Sequence, residues 1–144
     1  MGGRVAGIDE AGRGPWAGPV FAAAVVLHQS KMPDELRFGI KDSKVISSAK
    51  REHLFSLLRL CAEIGVGRAE VAEIDDTNIL SATFMAMKRA LQALSISVDI
   101  ALVDGNQAPN LPCKVETLVK GDSLSLSIAA ASIVAKVHRD REMA

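Results

Sequence analysis

The sequence predicts an α/β domain built on a central mixed β-sheet flanked by helices. Two apolar segments, residues 4–8 and 20–27, stand on either side of a glycine- and proline-rich turn, which is typical of an antiparallel strand pair. Strand-like and helix-like segments then alternate along the chain, the pattern of an α/β fold. A length of 144 residues and an apolar fraction of 49% indicate a single folded domain, residues 1–144.

Three helices are predicted from apolar residues at steps of three and four. The first is capped by Ser47 or Ser48 and ends near Gly65. The second begins after a cap at residue 75, 76 or 77 and runs through the apolar series Leu80, Phe84, Met87, Leu91 and Leu94. The third runs from about Ser123, and the final "HRDREMA" contains no residue that would end it. We therefore expect the native protein to continue into a further C-terminal helical part.

Three more strands are predicted. Residues 64–71 form the weakest of them because Gly67 and Arg68 interrupt its apolar pattern, whereas Val66 and Ala69 are candidate core positions. Residues 98–103 are almost continuously apolar, as in a central strand buried on both faces, and residues 115–119 form a short strand. A loop is expected to carry "KDSK", residues 41–44.

Charge and cysteine content narrow the function classes. The formal net charge is zero, so a nucleic-acid partner would be held by a local cationic surface or by metal ions. Cys61 and Cys113 lack CxxC spacing, which predicts a reduced, cytoplasmic chain without a disulfide or a zinc site. Residues 20–27 are too few to span a bilayer, so we expect no membrane partner. The three histidines are expected on the surface or on helix faces.

Four acidic residues follow predicted strands: Asp9, Glu10, Asp104 and Asp122. Open α/β sheets place ligand sites at the carboxyl ends of their strands, so these side chains would meet in one crevice if those ends converge. Clustered carboxylates need a neutralising cation, and oxygen ligands favour Mg²⁺ or Mn²⁺, two of which can hydrolyse a phosphodiester. The alternative is that each acid only caps a turn.

The glycine-rich stretch "GRGPWAG" that follows the first two acids matches neither common nucleotide-binding motif. It fails the GxGxxG pattern and the lysine-containing P-loop, and its prolines precede a strand where both motifs require a helix. What remains is a backbone that a ligand can approach closely, because glycine has no Cβ, with Arg13 available to a phosphate.

Five stretches together resemble the ribonuclease HII family, in order and over nearly the whole chain: "GIDEAGRGPWAGPV", "KDSK", "IDDTNILSATFMAMKRAL", "LVDGN" and "KGDSLSLSIAAASIVAKVHRDR". The resemblance implies a ribonuclease H-like fold with two divalent cations, Mn²⁺ or Mg²⁺. It places the catalytic, metal-binding carboxylates at Asp9, Glu10, Asp104 and Asp122. It also implies that the Gly12, Arg13 and Gly14 backbone reads the ribose 2′-hydroxyl, and that Lys44 and Asn78 lie near substrate phosphates.

The activity implied is cleavage of RNA–DNA hybrids, and of DNA duplexes that contain ribonucleotides, by a monomeric enzyme. Water would attack the phosphate 5′ to the ribonucleotide and leave 3′-hydroxyl and 5′-phosphate ends. Two departures from the family are visible: the chain has no tyrosine, although the family's C-terminal extension supplies one beside the ribose, and Trp16 stands where a smaller aliphatic residue is commoner. Two alternatives stay open, a hybrid-binding fragment without turnover and a DNA nuclease or resolvase of the same fold.

Overall fold

The computed structural model describes residues 4–13, 18–41 and 46–143, and this part of the chain forms five strands and six α-helices. In chain order they are β1 (Val5–Ala11), β2 (Val20–Leu27), α1 (Asp34–Lys41), α2 (Ser48–Cys61), β3 (Ala62–Ala69), α3 (Val71–Asp76), α4 (Ile79–Gln92), β4 (Ile100–Asp104), β5 (Lys114–Leu118), α5 (Gly121–Leu124) and α6 (Leu126–Met143).

The strands form one mixed sheet in the order β3-β2-β1-β4-β5. β2 is antiparallel to both β1 and β3, whereas β1, β4 and β5 run parallel to one another. The predicted mixed sheet with an antiparallel opening is therefore confirmed. The parallel half brings the carboxyl ends of β1 and β4 together at one edge.

Helices cover both faces of the sheet. α4 packs on one face, and α6 packs on the other with α2 and α1 outside it. Successive residues of a strand point to opposite faces, so Ala22 and Ala24 join the core under α4 while Ala23 and Val25 join the core under α6. Two-sided burial explains why β2 is a continuous apolar run.

Glycines in β3 set the approach of α4. A Cβ on Gly65 would collide with the Ala90 carbonyl oxygen, and one on Gly67 would collide with that of Ala86. Gly67 therefore does not weaken the strand, because it is the residue that allows the helix to lie so close. Ala69 is buried as predicted, but Val66 is only half-buried.

Several boundaries differ from the sequence predictions. Ser47 caps α2, with its Oγ accepting from the Lys50 N–H at 3.1 Å. That helix ends at Cys61, not near Gly65, because the chain enters β3 at once and pairs Ala62 with Leu27. α1 and α3 were not predicted at all. Both are short, so neither has enough turns to show a helical period.

The later elements need smaller corrections. Asn78 caps α4 instead of residue 75, 76 or 77, and the predicted third helix is divided into α5 and α6 at Ser125. Ser125 is extended, and its Oγ accepts from the N–H of Ile128, which gives α6 its own cap. β4 spans Ile100–Asp104 and is fully buried on one face only, since Leu102 remains half-buried.

Candidate metal centre and active site

Three of the four candidate carboxylates lie at the ends of two neighbouring parallel strands. Asp9 and Glu10 are near the end of β1, and Asp104 is the last residue of β4. Because Ile8 pairs with Val103, the next residues along each strand, Asp9 and Asp104, stand level with each other. The strand register thus brings together residues 95 positions apart, as the convergence argument required.

Asp9 is the most deeply buried of these acids, with 6% of its surface exposed. Burial, followed by the Glu10 carboxylate beside it and then by Asp104, raises the pKa of Asp9 to about 9. The N–H of Glu10 donates to Asp9 Oδ1 at 2.8 Å and offsets part of that rise. Without a neutralising cation, this carboxyl group therefore holds its proton at neutral pH.

Glu10 has one buried oxygen, Oε2, without a hydrogen-bond partner among the described residues, although its carboxylate also interacts with the Asp9 carboxyl group. Its other oxygen, Oε1, lies 3.4 Å from Nη1 of the half-exposed Arg13. A buried carboxylate oxygen is normally hydrogen-bonded or bound to a cation. This oxygen is the observation that best fits a metal ion between β1 and β4.

Asp104 connects the strand ends to α5. Its Oδ1 accepts from the backbone N–H of Gly121 at 2.6 Å. Asp122 follows directly but lines a different cavity of about 330 Å³, together with Lys41 and Leu124. The start of α5 therefore lies beside Asp104, but the side chains of Asp104 and Asp122 line different cavities.

The donor set fits a hard divalent cation in kind, since every candidate ligand is a carboxylate oxygen. In the described part of the chain, however, no group of three His, Cys, Asp or Glu side chains is arranged closely enough to hold a metal ion as it stands. Asp9, Glu10 and Asp104 interact electrostatically. The side chains would therefore have to rearrange before they could hold a cation together.

A cavity of about 280 Å³ lies beside Glu10 and Asp104, between the strand ends and α4. Glu10, Asp104 and Arg13 form its charged side, and α4 contributes an apolar side. Several of its lining residues were not predicted as site residues: Thr83, Phe84, Asn106 and Gln107. The pair Asn106 and Gln107 could have been noted, because it directly follows the Asp104-Gly105 turn.

The remaining site predictions fall in different places. Gly12 has a φ of +103°, a conformation that glycine adopts most readily. Asn78 is exposed, and its Oδ1 accepts from the Ser81 N–H at 2.8 Å as the cap of α4. Gly14, Lys44 and Trp16 lie outside the described residues.

None of the three histidines lines the cavity beside Glu10 and Asp104. His28 and His53 contact Glu63 and Glu35, and the half-buried His138 lies on a face of α6 against the rings of Phe21 and Phe55. Cys61 and Cys113 are free thiols. Within the described residues, no helix combines the length and apolarity needed to cross a membrane.

The strand order and the helices on both faces define the ribonuclease H-like class of fold. The crystal structure of ribonuclease H2 from Pyrococcus horikoshii OT3 matches it with a TM-score of 0.84 and 33% identity, over 97% of this chain and 74% of that one. A ribonuclease HIII structure, Bst-RNase HIII, shares the fold at 20% identity, with a TM-score of 0.83 over 98% of this chain and 53% of that one.

Sequence comparison identifies the family. The model of the ribonuclease HII family matches residues 6–144. Ribonuclease HII of Rhodospirillum rubrum is 59% identical over 99% of this chain, and that of Paramagnetospirillum magneticum is 56% identical over 100%. The chain belongs to the ribonuclease HII family. It spans 66% of the length of the first of these relatives and 72% of the second.

Proposed function

We propose that this chain is a metal-dependent endoribonuclease that hydrolyses the RNA strand of RNA–DNA hybrids and cuts 5′ to ribonucleotides embedded in duplex DNA. The products would carry 3′-hydroxyl and 5′-phosphate ends. The observation that carries the proposal is the group formed by Asp9, Glu10 and Asp104, in which one carboxyl group holds a proton and one buried oxygen has no hydrogen-bond partner among the described residues. Membership of the ribonuclease HII family supports the substrate class.

Asp9, Glu10, Asp104 and Asp122 would hold two divalent cations, Mn²⁺ or Mg²⁺. When bound, such ions activate a water and stabilise the leaving oxygen of a phosphodiester. A ribonuclease HIII of this fold is in complex with Mn²⁺, but at 19% identity that likeness concerns the fold alone. The metal proposal for this chain therefore depends on the chemistry of its own donors.

The other residues of the centre would bind and orient the substrate. The Gly121 N–H fixes one oxygen of Asp104, which leaves its second oxygen to face a cation. Arg13 lies beside Glu10, where its guanidinium can bind a phosphate. The peptide groups at Gly12 and Arg13 would contact the ribose, because a 2′-hydroxyl can both donate to and accept from a peptide group.

A second function is favoured by the length of the chain. That function is binding of RNA–DNA hybrids without turnover, since the match covers 66% of the Rhodospirillum relative and leaves the rest of that relative without a counterpart here. A monomeric state and a cytoplasmic location also belong to the proposal. Size-exclusion chromatography with light scattering tests the first, and fractionation of the source cells tests the second.

Cleavage assays distinguish these functions. The purified chain would be incubated with an RNA–DNA hybrid, a DNA duplex that contains one ribonucleotide and an all-DNA duplex, each in Mn²⁺, Mg²⁺ or EDTA. We expect metal-dependent cutting of the first two and no cutting of the third. Binding without cutting would favour the second function, and cutting of the all-DNA duplex would indicate a DNA nuclease.

Matched variants test the site. Asp104→Asn should abolish cleavage. Asp99→Asn changes the residue directly before β4, at the other end of the strand from Asp104, and should retain cleavage. Asp99 accepts from the Arg4 N–H at 2.7 Å and lies away from the candidate centre. Equal activity of the Asp104→Asn variant and the unmodified chain would refute the proposed role of this carboxylate.

A further inference from the structure

Ion pairs clamp the C-terminal end of α6 to the rest of the domain. Three consecutive residues, 140–142, pair with Arg51, Glu52 and Arg68, at distances of 3.0, 2.6 and 3.0 Å. The first two partners lie on α2 and the third lies on β3. Surface ion pairs contribute little stability individually, but three in succession to two elements define where the preceding residue, Arg139, stands.

Arg139 is directed at both ends of the glycine-rich segment, residues 12–19. A Cβ added to Gly12 would lie 3.2 Å from Arg139 Cζ and closer still to Nη1. A Cβ added to Gly18 would lie 3.6 Å from Arg139 Nη2. Both glycines have positive φ angles, +103° and +140°. The guanidinium therefore occupies the space that a side chain at Gly12 would need, and it lies within van der Waals distance of a Cβ at Gly18, which would meet Met143 Sδ first, at 3.1 Å.

The electrostatic surroundings of Arg139 set it apart from its neighbours. Arg51, Arg68 and Arg141 each pair with a carboxylate. Arg139 forms no hydrogen bond or ion pair with any described residue, and its Nε is buried without an acceptor. The Nε atoms of Arg51 and Arg68 also lack an acceptor, so what distinguishes Arg139 among the described residues is the lack of a carboxylate partner together with its contact with Gly12.

We propose that Arg139 is a positioning residue for ribonucleotide recognition: its guanidinium lies against Gly12 and Gly18 and holds the backbone that meets the ribose 2′-hydroxyl. This inference rests on the proposed function and deepens it. The planar fork of arginine can contact both glycines at once, which the single ammonium of lysine cannot do. The ion pairs of residues 140–142 keep the guanidinium of Arg139 beside Gly12.

The test compares two duplexes that differ only in one 2′-hydroxyl. Binding is followed by fluorescence anisotropy at low salt in EDTA, and cleavage is followed in Mn²⁺, for the unmodified chain, Arg139→Met, Arg139→Lys and Arg141→Met. We expect Arg139→Met to lose about tenfold of the preference for the ribonucleotide duplex, the scale of effect that follows from a misplaced recognition group. Arg139→Lys should recover only part of it.

Arg141→Met is the matched control, since it removes an arginine two residues along the same helix that pairs with Glu52 and contacts the Phe55 ring. It should lower the thermal midpoint at least as much as Arg139→Met while leaving the preference unchanged. The inference is overturned if Arg139→Met keeps the full preference, or if both variants lose it in proportion to their loss of stability. Failure of the proposed function is a separate result: the unmodified chain would cut neither duplex, and the binding preference would still decide the role of Arg139.

Discussion

The backbone N–H of Gly121 donates to Asp104 Oδ1 at 2.6 Å and thereby joins the start of α5 to the end of β4. The two residues are 17 positions apart, and β5 runs between them. The bond orients Asp104. It also brings Asp122, which follows Gly121 in the chain, to the same edge of the sheet. A short charge-assisted bond of this kind is among the stronger hydrogen bonds in proteins.

Gly121→Ala should damage the site through this contact. The new Cβ would lie 2.7 Å from Ile128 Cδ1 and 3.2 Å from Asp104 Oδ1, so the Ile128 side chain and either Asp104 or the start of α5 would have to shift. We expect a loss of about 1–3 kcal/mol in the free energy of unfolding, as is typical of overpacking, with a fall in kcat of at least roughly tenfold. Urea denaturation and single-turnover cleavage measure the two effects.

Gly39→Ala provides the control for that prediction. Its Cβ would meet Leu54 Cδ2 at 2.6 Å, a comparable clash between α1 and α2 that involves none of Asp9, Glu10 and Asp104. This variant should change stability but keep the kcat of the folded enzyme. Equal kcat values for the two variants would show that the Gly121–Asp104 contact does not orient the catalytic group.

Asp9→Asn should abolish cleavage without destabilising the metal-free protein. The folded chain keeps Asp9 protonated up to a pKa of about 9, whereas the unfolded chain ionises near 3.8, so the native state binds more protons between these values. Stability from this group is therefore full below about pH 4 and is lost as the pH rises through the folded pKa. Asparagine cannot ionise, and its thermal midpoint in EDTA should be at or above that of the unmodified chain at pH 8.

The difference between the Asp9→Asn variant and the unmodified chain should shrink toward pH 4, where both carry a neutral group. Differential scanning fluorimetry over pH 4–9 measures this difference. A variant that is less stable than the unmodified chain at pH 8 would contradict the prediction, since it would mean that the burial of Asp9 does not destabilise the fold at that pH.

Asn78 can be tested as a helix cap and as a phosphate contact separately. Asp is as good a cap as Asn, so Asn78→Asp should keep the bond to the Ser81 N–H and the stability, whereas Asn78→Ala should lose about 1 kcal/mol. If the side chain also lies near substrate phosphates, the new charge should weaken duplex binding several-fold. Unchanged affinity of the Asp variant would leave Asn78 as a cap only.

Acid should weaken the ion pair between Glu73 of α3 and Arg89 of α4, and with it the stability of the fold. Both guanidinium nitrogens of Arg89 donate to its carboxylate, at 2.8 and 2.6 Å, and these bonds, followed by the Glu70 N–H, lower the pKa of Glu73 to about 2. A depressed carboxyl pKa contributes stability above its unfolded value, near 4.5, and loses it as the pH falls toward 2. Glu73→Gln should therefore have a lower thermal midpoint at pH 6 and match the unmodified chain near pH 2.

Glu116→Gln is the control for the acid experiment, because Glu116 is exposed and lies 3.6 Å from an exposed lysine. Its midpoint should equal that of the unmodified chain at pH 6. A Glu73→Gln variant that follows the same course as this control would refute the contribution of the Glu73–Arg89 pair.

Local pattern in the sequence was enough for the long elements. In the predicted apolar series of the second helix, Met87, Leu91 and Leu94 are buried and Leu80 and Phe84 are half-buried. The β1–β2 pair is antiparallel as predicted. Short elements were missed because a helix of eight residues, such as α1, repeats its apolar face too few times to be seen. The prediction that Gly67 weakens β3 was wrong because this glycine allows α4 to pack closely, and the pattern of one strand carries no information about a neighbouring helix.

The sequence by itself determined the mixed α/β sheet, the carboxylates that end its strands and, through its resemblance to a family, the substrate class to test. Tertiary structure decided which groups meet: β1–β4 register sets Asp9 level with Asp104, a hydrogen bond brings Gly121 to Asp104, and the end of α6 places Arg139 against Gly12. The sequence gives the chemical type of each side chain directly, whereas the distances between side chains depend on the packing of elements far apart in the chain. Burial of Asp9, and with it the raised pKa of that carboxyl group, exists only once those elements have assembled.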